Sequence, residues 1–153
     1  LDGYRPLGDD PATPMQAYVA LGAAAPRRFA PGARWSYSNT NYKALALIVE
    51  RVSGESFDSV LAERVLRPLG LDGIVPCHDL APKELVPGVS AAGKPAPLDP
   101  SRAAYTGDGG LCGTAADLAR WIRVGLAPRD GLGARLAVPA VLADGTRVPY
   151  GFG

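Results

Sequence analysis

Five consecutive residues, Trp35-Ser36-Tyr37-Ser38-Asn39, bring together an indole, a phenol, two hydroxyls and a carboxamide. A phenol can carry a proton to and from a reacting oxygen if nearby cations draw down its pKa, ordinarily about 10. A carboxamide offers one acceptor and two donors, enough to hold a substrate amide or a neighbouring ammonium. Both residue types also have plain structural uses. Asn39 stands just before an apolar run at helical spacing, where asparagine caps the orphan N–H groups of a first turn. Tyr37 can equally be a half-buried aromatic whose hydroxyl rests on a partner. Residue chemistry alone leaves Asn39 evenly divided between cap and ligand. It gives Tyr37 no activating cation, because the nearest lysine, Lys43, should point away from the helix mouth if Tyr42 and Leu45 face the core.

The elements that must position this cluster follow from turn signals and periodicity. Pro31-Gly32 marks a turn at the end of an extended loop from Arg27 to Trp35. The spacing predicts a central helix from about Thr40 to Ser53, with Tyr42, Leu45, Ala46, Val49 and Val52 on one stripe and Ala44, Leu47 and Ile48 opposite. Gly54 is its natural stop, and Ser56 caps a following helix, Phe57 to Arg67, that Pro68 should end. Together they predict an antiparallel helical hairpin. Upstream, Thr13-Pro14-Met15-Gln16 reads as a capping box opening a short helix to about Leu21, stopped by Gly22. Downstream, a hairpin is expected around Leu85 to Val89 and Gly93. Thr114 should cap a helix with Asp117 near its start and Leu118, Trp121 and Ile122 on its buried face. A weak helical stretch from Ala134 to Ala143 and a strand from Thr146 to Phe152 complete the chain.

The totals bound the function. The chain has 153 residues, 47% apolar, enough for one domain with a real core. Its 19 glycines and 15 prolines imply many loops and few long regular elements. With 16 basic and 15 acidic residues interspersed, the net charge of +1 favours neither nucleic acid nor anionic lipid. The longest strongly apolar run, Ala44 to Val49, is far short of a membrane span. Leu1 in place of an initiator methionine reads as a processed or excised chain, so the lack of a signal peptide says nothing about compartment.

Other constellations carry less. Cys77-His78-Asp79 lacks the second histidine or cysteine pair that a tetrahedral zinc site needs. Cys77 and Cys112 are compatible with one disulfide, but the usual burial of free cysteine favours two separate thiols. Gly107-Asp108-Gly109-Gly110 precedes a helix but lacks the Gly-Lys-Ser/Thr ending of a phosphate loop; tight turning explains it better. His78 is the only histidine, and no Gly-x-Ser-x-Gly elbow accompanies it, so a Ser-His-Asp triad is not supported.

The stretch Pro31-Gly32-Ala33-Arg34-Trp35-Ser36-Tyr37-Ser38-Asn39-Thr40-Asn41-Tyr42 resembles the second motif of the serine β-lactamase and penicillin-binding-protein-like family, in its class C, esterase and D-alanyl-D-alanine carboxypeptidase branch. Three further segments agree in order: Ile48 to Gly54 leading to Arg67-Pro68-Leu69-Gly70-Leu71, Gly109 to Trp121, and Asp144-Gly145 leading to Tyr150-Gly151-Phe152-Gly153. The resemblance implies that Tyr37 and Asn39 are the catalytic tyrosine and asparagine of a Tyr-x-Asn motif. The tyrosine would shuttle a proton to and from a nucleophilic serine or the leaving group, and the asparagine would hold a catalytic lysine and the substrate amide. The implied reaction is acyl transfer through a serine ester, with no cofactor. The implied fold is α+β, mostly the helical subdomain of the β-lactamase/transpeptidase-like fold, with irregular loops, a short C-terminal strand and an incomplete main sheet. Residues 1–153 would be a single incomplete domain.

The departures are specific. Ser36, Ser38, Ser53, Ser56, Ser59, Ser90 and Ser101 all lack a lysine three residues on, so the nucleophile motif Ser-x-x-Lys is missing. Thr40-Asn41-Tyr42-Lys43 has the spacing with threonine but overlaps the second motif. The third motif, Lys-Thr-Gly or His-x-Gly, would follow Phe152-Gly153. The chain is therefore expected to be part of a serine hydrolase acting on a β-lactam, D-amino-acid peptide or ester, and inactive by itself. The alternative is a non-catalytic degenerate module binding a peptidoglycan-like ligand or a protein partner. A partial fold should leave apolar surface and a strand edge open, which predicts self-association or a partner chain. The resemblance is compatible with a periplasmic or extracellular place in a bacterium.

Overall fold

A computed structural model of the chain describes residues 15–96, 107–126 and 131–152. The expected capping box at Thr13-Pro14 lies outside these residues. The chain divides into two compact units, one drawn from Leu1–Ala24 and Asn39–Gly113, the other from Ala25–Ser38 and Thr114–Gly153. The architecture is α+β, with helices providing most of the regular structure and two separate two-stranded ribbons.

In the first unit, α1 (Met15–Ala24) packs on α2 (Asn39–Ser53), and α2 packs on α3 (Phe57–Leu61). Gly22, expected to stop α1, instead sits inside it, and the helix runs to Ala24. A Cβ there would lie 2.7 Å from Thr40 Cγ2, so Gly22 serves the close approach of the two helices. The α2–α3 turn forms as expected. Gly54 takes φ +75°, Ser56 Oγ accepts from Ser59 N at 3.2 Å, and Glu50 Oε1 on α2 accepts from Phe57 N at 3.0 Å.

The end of α3 departs from the expected stop at Pro68. A π turn (Ala62–Leu66) and a 3₁₀ turn (Arg67–Leu69) carry the chain through the proline. A proline ring clashes with the carbonyl four residues earlier, here that of Arg64, and the wider π turn accommodates it. The stop is Gly70, left-handed at φ +65°. Gly70 N donates to Arg67 O and Leu71 N to Leu66 O, the paired bonds of a Schellman motif, with Leu66 and Leu71 both buried.

Antiparallel β1 (Val75–Pro76) and β4 (Leu111–Cys112) join the middle of the unit to its last segment, with Val75 opposite Cys112. Cys77 and Cys112 form a disulfide there, which corrects the reading of two separate thiols. Burial statistics for single cysteines say nothing about distance in space, and the ribbon brings these two Cα atoms to 4.9 Å. The second ribbon, β2 (Gly88–Val89) with β3 (Pro95–Ala96), turns at Gly93 as anticipated.

In the second unit, α4 (Ala115–Gly125) is capped by Thr114, whose Oγ1 accepts from Asp117 N at 3.1 Å. Asp117, not the apolar stripe, is the buried residue of α4; Leu118 and Ile122 are exposed. The Thr114 hydroxyl donates to Asp117 Oδ2 at 2.6 Å and Arg120 Nη1 to Oδ1 at 2.9 Å, so these bonds hold the carboxyl below its ordinary value against the effect of burial. The weak helical stretch expected from Ala134 to Ala143 is helical only at its start, where helix α5 covers Leu132–Leu136. The C-terminal strand is reduced to one antiparallel bridge, Val141 with Arg147. Around it the chain folds back tightly. Ala140 N donates to Tyr150 O, Val148 N to Ala140 O and Leu142 N to Thr146 O, across a turn with Gly145 at φ +86°.

Candidate active site

The approach to Tyr37 is built in the second unit. Ala33 N donates to Ala30 O at 3.0 Å, closing a turn with Pro31 and Gly32 at its centre and Gly32 at φ +78°. This is the turn geometry in which proline suits the first central position and glycine the second. Gly32 O then accepts from Ala143 N at 2.9 Å, tying the turn to the C-terminal fold-back. A second tie follows three residues on, where the Trp35 and Tyr150 rings meet at 5.1 Å between centroids, tilted by 44°. Arg28 Nη1 lies 3.5 Å from Ser36 Oγ. Tyr37 is two residues past the ring contact and 59% exposed, so its phenol is presented rather than packed.

Asn39 is the first residue of α2 and is half-buried. It stands within the helix rather than just before it, and it belongs to the first unit while Tyr37 belongs to the second. The two motif residues are thus two positions apart in the chain but belong to different units.

The buried face of α2 keeps Ala46 of the expected stripe but includes Lys43 in place of Leu45 and Val52. Lys43 is 5% exposed and Ala46 1%, while Leu45, Ile48 and Val52 are exposed. Lys43 therefore points into the unit. Its Nζ donates to Asp108 Oδ1 at 2.6 Å and lies 5.1 Å from the centre of the Tyr18 ring on α1. A single turn of α2 so gathers α1 and the glycine loop. The loop's backbone presses equally closely: Gly107 takes φ +105°, and a Cβ on it would lie 2.8 Å from both Ala46 Cβ and Tyr42 O. Tight turning does explain this glycine, as the sequence indicated, but the turn's neighbour is the helix that carries Asn39.

Lys43 and Asp108 are the residues that sequence reasoning missed. A lysine inside a near-continuous apolar run was expected to point away from the helix mouth, although an isolated charge in such a run is itself a sign of pairing. Its partner lies 65 positions away and could not be read from local pattern. His78, the only histidine of the sequence, is found beside carboxylates: Nε2 is 3.7 Å from Asp58 Oδ2 and 3.6 Å from Asp79 Oδ1. Burial pushes the Asp58 carboxyl up, opposed by His78, and its Oδ1 is buried with no hydrogen-bond partner among the described residues. No helix among the described residues is long and apolar enough to cross a membrane.

Comparison with known proteins bears on what such an arrangement serves. The family model described as Beta-lactamase matches residues 1–153. The D-aminopeptidase of Brucella anthropi is 32% identical over 144 residues, covering 92% of this chain and 28% of that protein. The chain thus spans well under half the length of this curated relative. Among solved structures, a D-stereospecific amidohydrolase from Streptomyces sp. superposes with a TM-score of 0.68 at 23% identity, covering 92% of this chain and 44% of that one. The octameric penicillin-binding protein homologue from Pyrococcus abyssi does so with a TM-score of 0.66 at 22% identity, covering 99% and 36%. These two likenesses establish a shared fold.

Proposed function

This chain belongs to the beta-lactamase family, and on that premise we propose that it supplies the Tyr-x-Asn wall of a serine hydrolase acting on D-amino-acid peptides or amides. The observation that carries the reading is Tyr37-Ser38-Asn39 where irregular chain enters α2, with the phenol exposed and the amide opening the helix. The name of the Brucella anthropi relative supports the D-amino-acid substrate class.

In the proposed reaction a serine hydroxyl attacks the substrate carbonyl and its proton passes to the Tyr37 phenolate. The tetrahedral intermediate collapses to a serine ester as the phenol returns that proton to the leaving amine. Water then attacks the ester, giving its proton to Tyr37, and the serine leaves with a proton from the same phenol. Asn39 holds the substrate amide and the lysine ammonium beside the phenol. The serine and that ammonium belong to a Ser-x-x-Lys motif, which these 153 residues do not contain. The residues are accordingly inactive by themselves.

The disulfide supports an oxidising compartment, periplasmic or extracellular. The exposed Leu45, Ile48 and Val52 on α2 support burial against further protein, whether the rest of the hydrolase or another copy.

The test is active-site labelling. The full-length protein encoding this chain is treated with a fluorophosphonate and the adduct mapped by peptide mass spectrometry. One adduct is expected, on a serine outside these residues and three positions before a lysine. An adduct on Ser36, Ser38 or any other serine here contradicts the proposal. No adduct at all favours a non-catalytic binding module.

A further inference from the structure

Asn39 and Lys43 are one helical turn apart, so their side chains share a face of α2. Helical side chains lean toward the N-terminus, which carries the Lys43 stem over the turn that begins with Asn39. The ammonium at its end is fixed from two directions, by the Asp108 carboxylate at 2.6 Å and by the Tyr18 ring at 5.1 Å. Both members of the ion pair are nearly buried, with side-chain exposures of 6% and 11%. A buried ion pair is a poor way to gain stability, since well-packed apolar side chains of similar volume often do as well or better. What a short, charge-assisted bond does supply is direction. Here it fixes the first turn of α2 against a loop that already touches Ala46 and Tyr42 through Gly107.

We propose that Lys43 and Asp108 are positioning residues for Asn39: their ion pair sets the place and orientation of the first turn of α2, and so of the amide that receives the substrate. The inference rests on the reading of Asn39 as a substrate-holding residue. Neither Lys43 nor Asp108 touches the reacting atoms in this scheme. The pair acts through the helix, by holding one end of it still.

A double-mutant cycle in the full-length protein separates positioning from general structural support. Asn39→Ala, Lys43→Met and the double variant are compared by hydrolysis of D-alanine p-nitroanilide, and by the rate of labelling with a fluorescent penicillin. Lys43→Met is expected to lower kcat about 10- to 100-fold, as a misplaced contact does, with little change in KM. In the Asn39→Ala background the same substitution should cost less than about twofold, because the residue it acts through is gone. An equal factor in both backgrounds overturns the inference. If Lys43→Met does not fold by circular dichroism, the cycle is run with Asp108→Asn, which keeps an acceptor oxygen and is read by the same criterion. Full activity in Asn39→Ala, or no turnover and no labelling of the wild type, sinks the proposed function itself rather than the ion-pair inference alone.

Discussion

Tyr37 and Asn39 are two residues apart, yet one is presented from a thin support and the other from a thick one. Behind Tyr37, among the described residues, stand the backbone bond from Ala143 N to Gly32 O, the ring contact of Trp35 with Tyr150, and an exposed bond from Arg28 to Ser36. Both ends of that ring contact lie in irregular chain. Behind Asn39 stand three independent fixtures: Thr40 against Gly22, Lys43 against Asp108 and Tyr18, and Ala46 against Gly107. The difference suits the roles proposed for them. An amide that orients a substrate works best immobile. A phenol that must reach first a serine and then a leaving group works best with room to adjust.

Glycine-to-alanine variants on each side probe that contrast with the same added atom. Gly107→Ala forces an L residue to φ +105° and drives its Cβ into Ala46 and Tyr42, so it should cost about 2–6 kcal/mol. Gly32→Ala meets Ala143 at ordinary contact distance, 3.4 Å from its Cβ and 3.8 Å from its N, and should cost about 1–2 kcal/mol, mainly from its left-handed backbone. Hydrogen exchange in the full-length protein reads both: Gly107→Ala should open the amides of α2, and Gly32→Ala only those around Ala143. Equal opening of α2 in the two variants would erase the distinction.

A smaller effect sharpens it. Trp35→Ala removes the ring contact, which aromatic pairs value at about 0.5–1.5 kcal/mol beyond their buried area. The expected signature in the full-length protein is faster exchange near Tyr150 and a lower catalytic rate, with the melting temperature little changed. A large fall in melting temperature would mean that Trp35 is a core residue and that Tyr37 stands on firmer ground than the geometry indicates.

The parts of this architecture that were legible in the sequence are those determined within a few residues. Ser56 and Thr114 cap the helices expected of them, and Gly93 turns its hairpin, because caps and turns are local exchanges of hydrogen bonds. The Tyr37-Ser38-Asn39 order, from which the Tyr-x-Asn role is proposed, could be read for the same reason: it is contiguous. What stands behind the motif was not. Lys43 was expected to point away from the helix mouth and Leu45 into the core, whereas Lys43 is buried and Leu45 exposed, since which face of α2 turns inward is decided by α1 and a loop 65 residues away. The Cys77–Cys112 bond escaped because pairing depends on the β1–β4 ribbon, itself two residues wide on each side. Pro68 was taken for a stop, but a π turn upstream carried the helix past it to Gly70. In each case a distant neighbour or a change of helical turn overrode a sound local rule.

The claim on which everything else turns is that the exposed Tyr37 phenol moves the proton in acyl transfer. The most direct measurement is the acylation rate of the full-length protein by a fluorescent penicillin, wild type against Tyr37→Phe, with melting temperatures recorded alongside. Loss of a positioned acid–base group should slow acylation about 10²- to 10⁴-fold, while the melting temperature holds because the hydroxyl is not packed. Acylation of Tyr37→Phe within twofold of the wild-type rate would contradict the account.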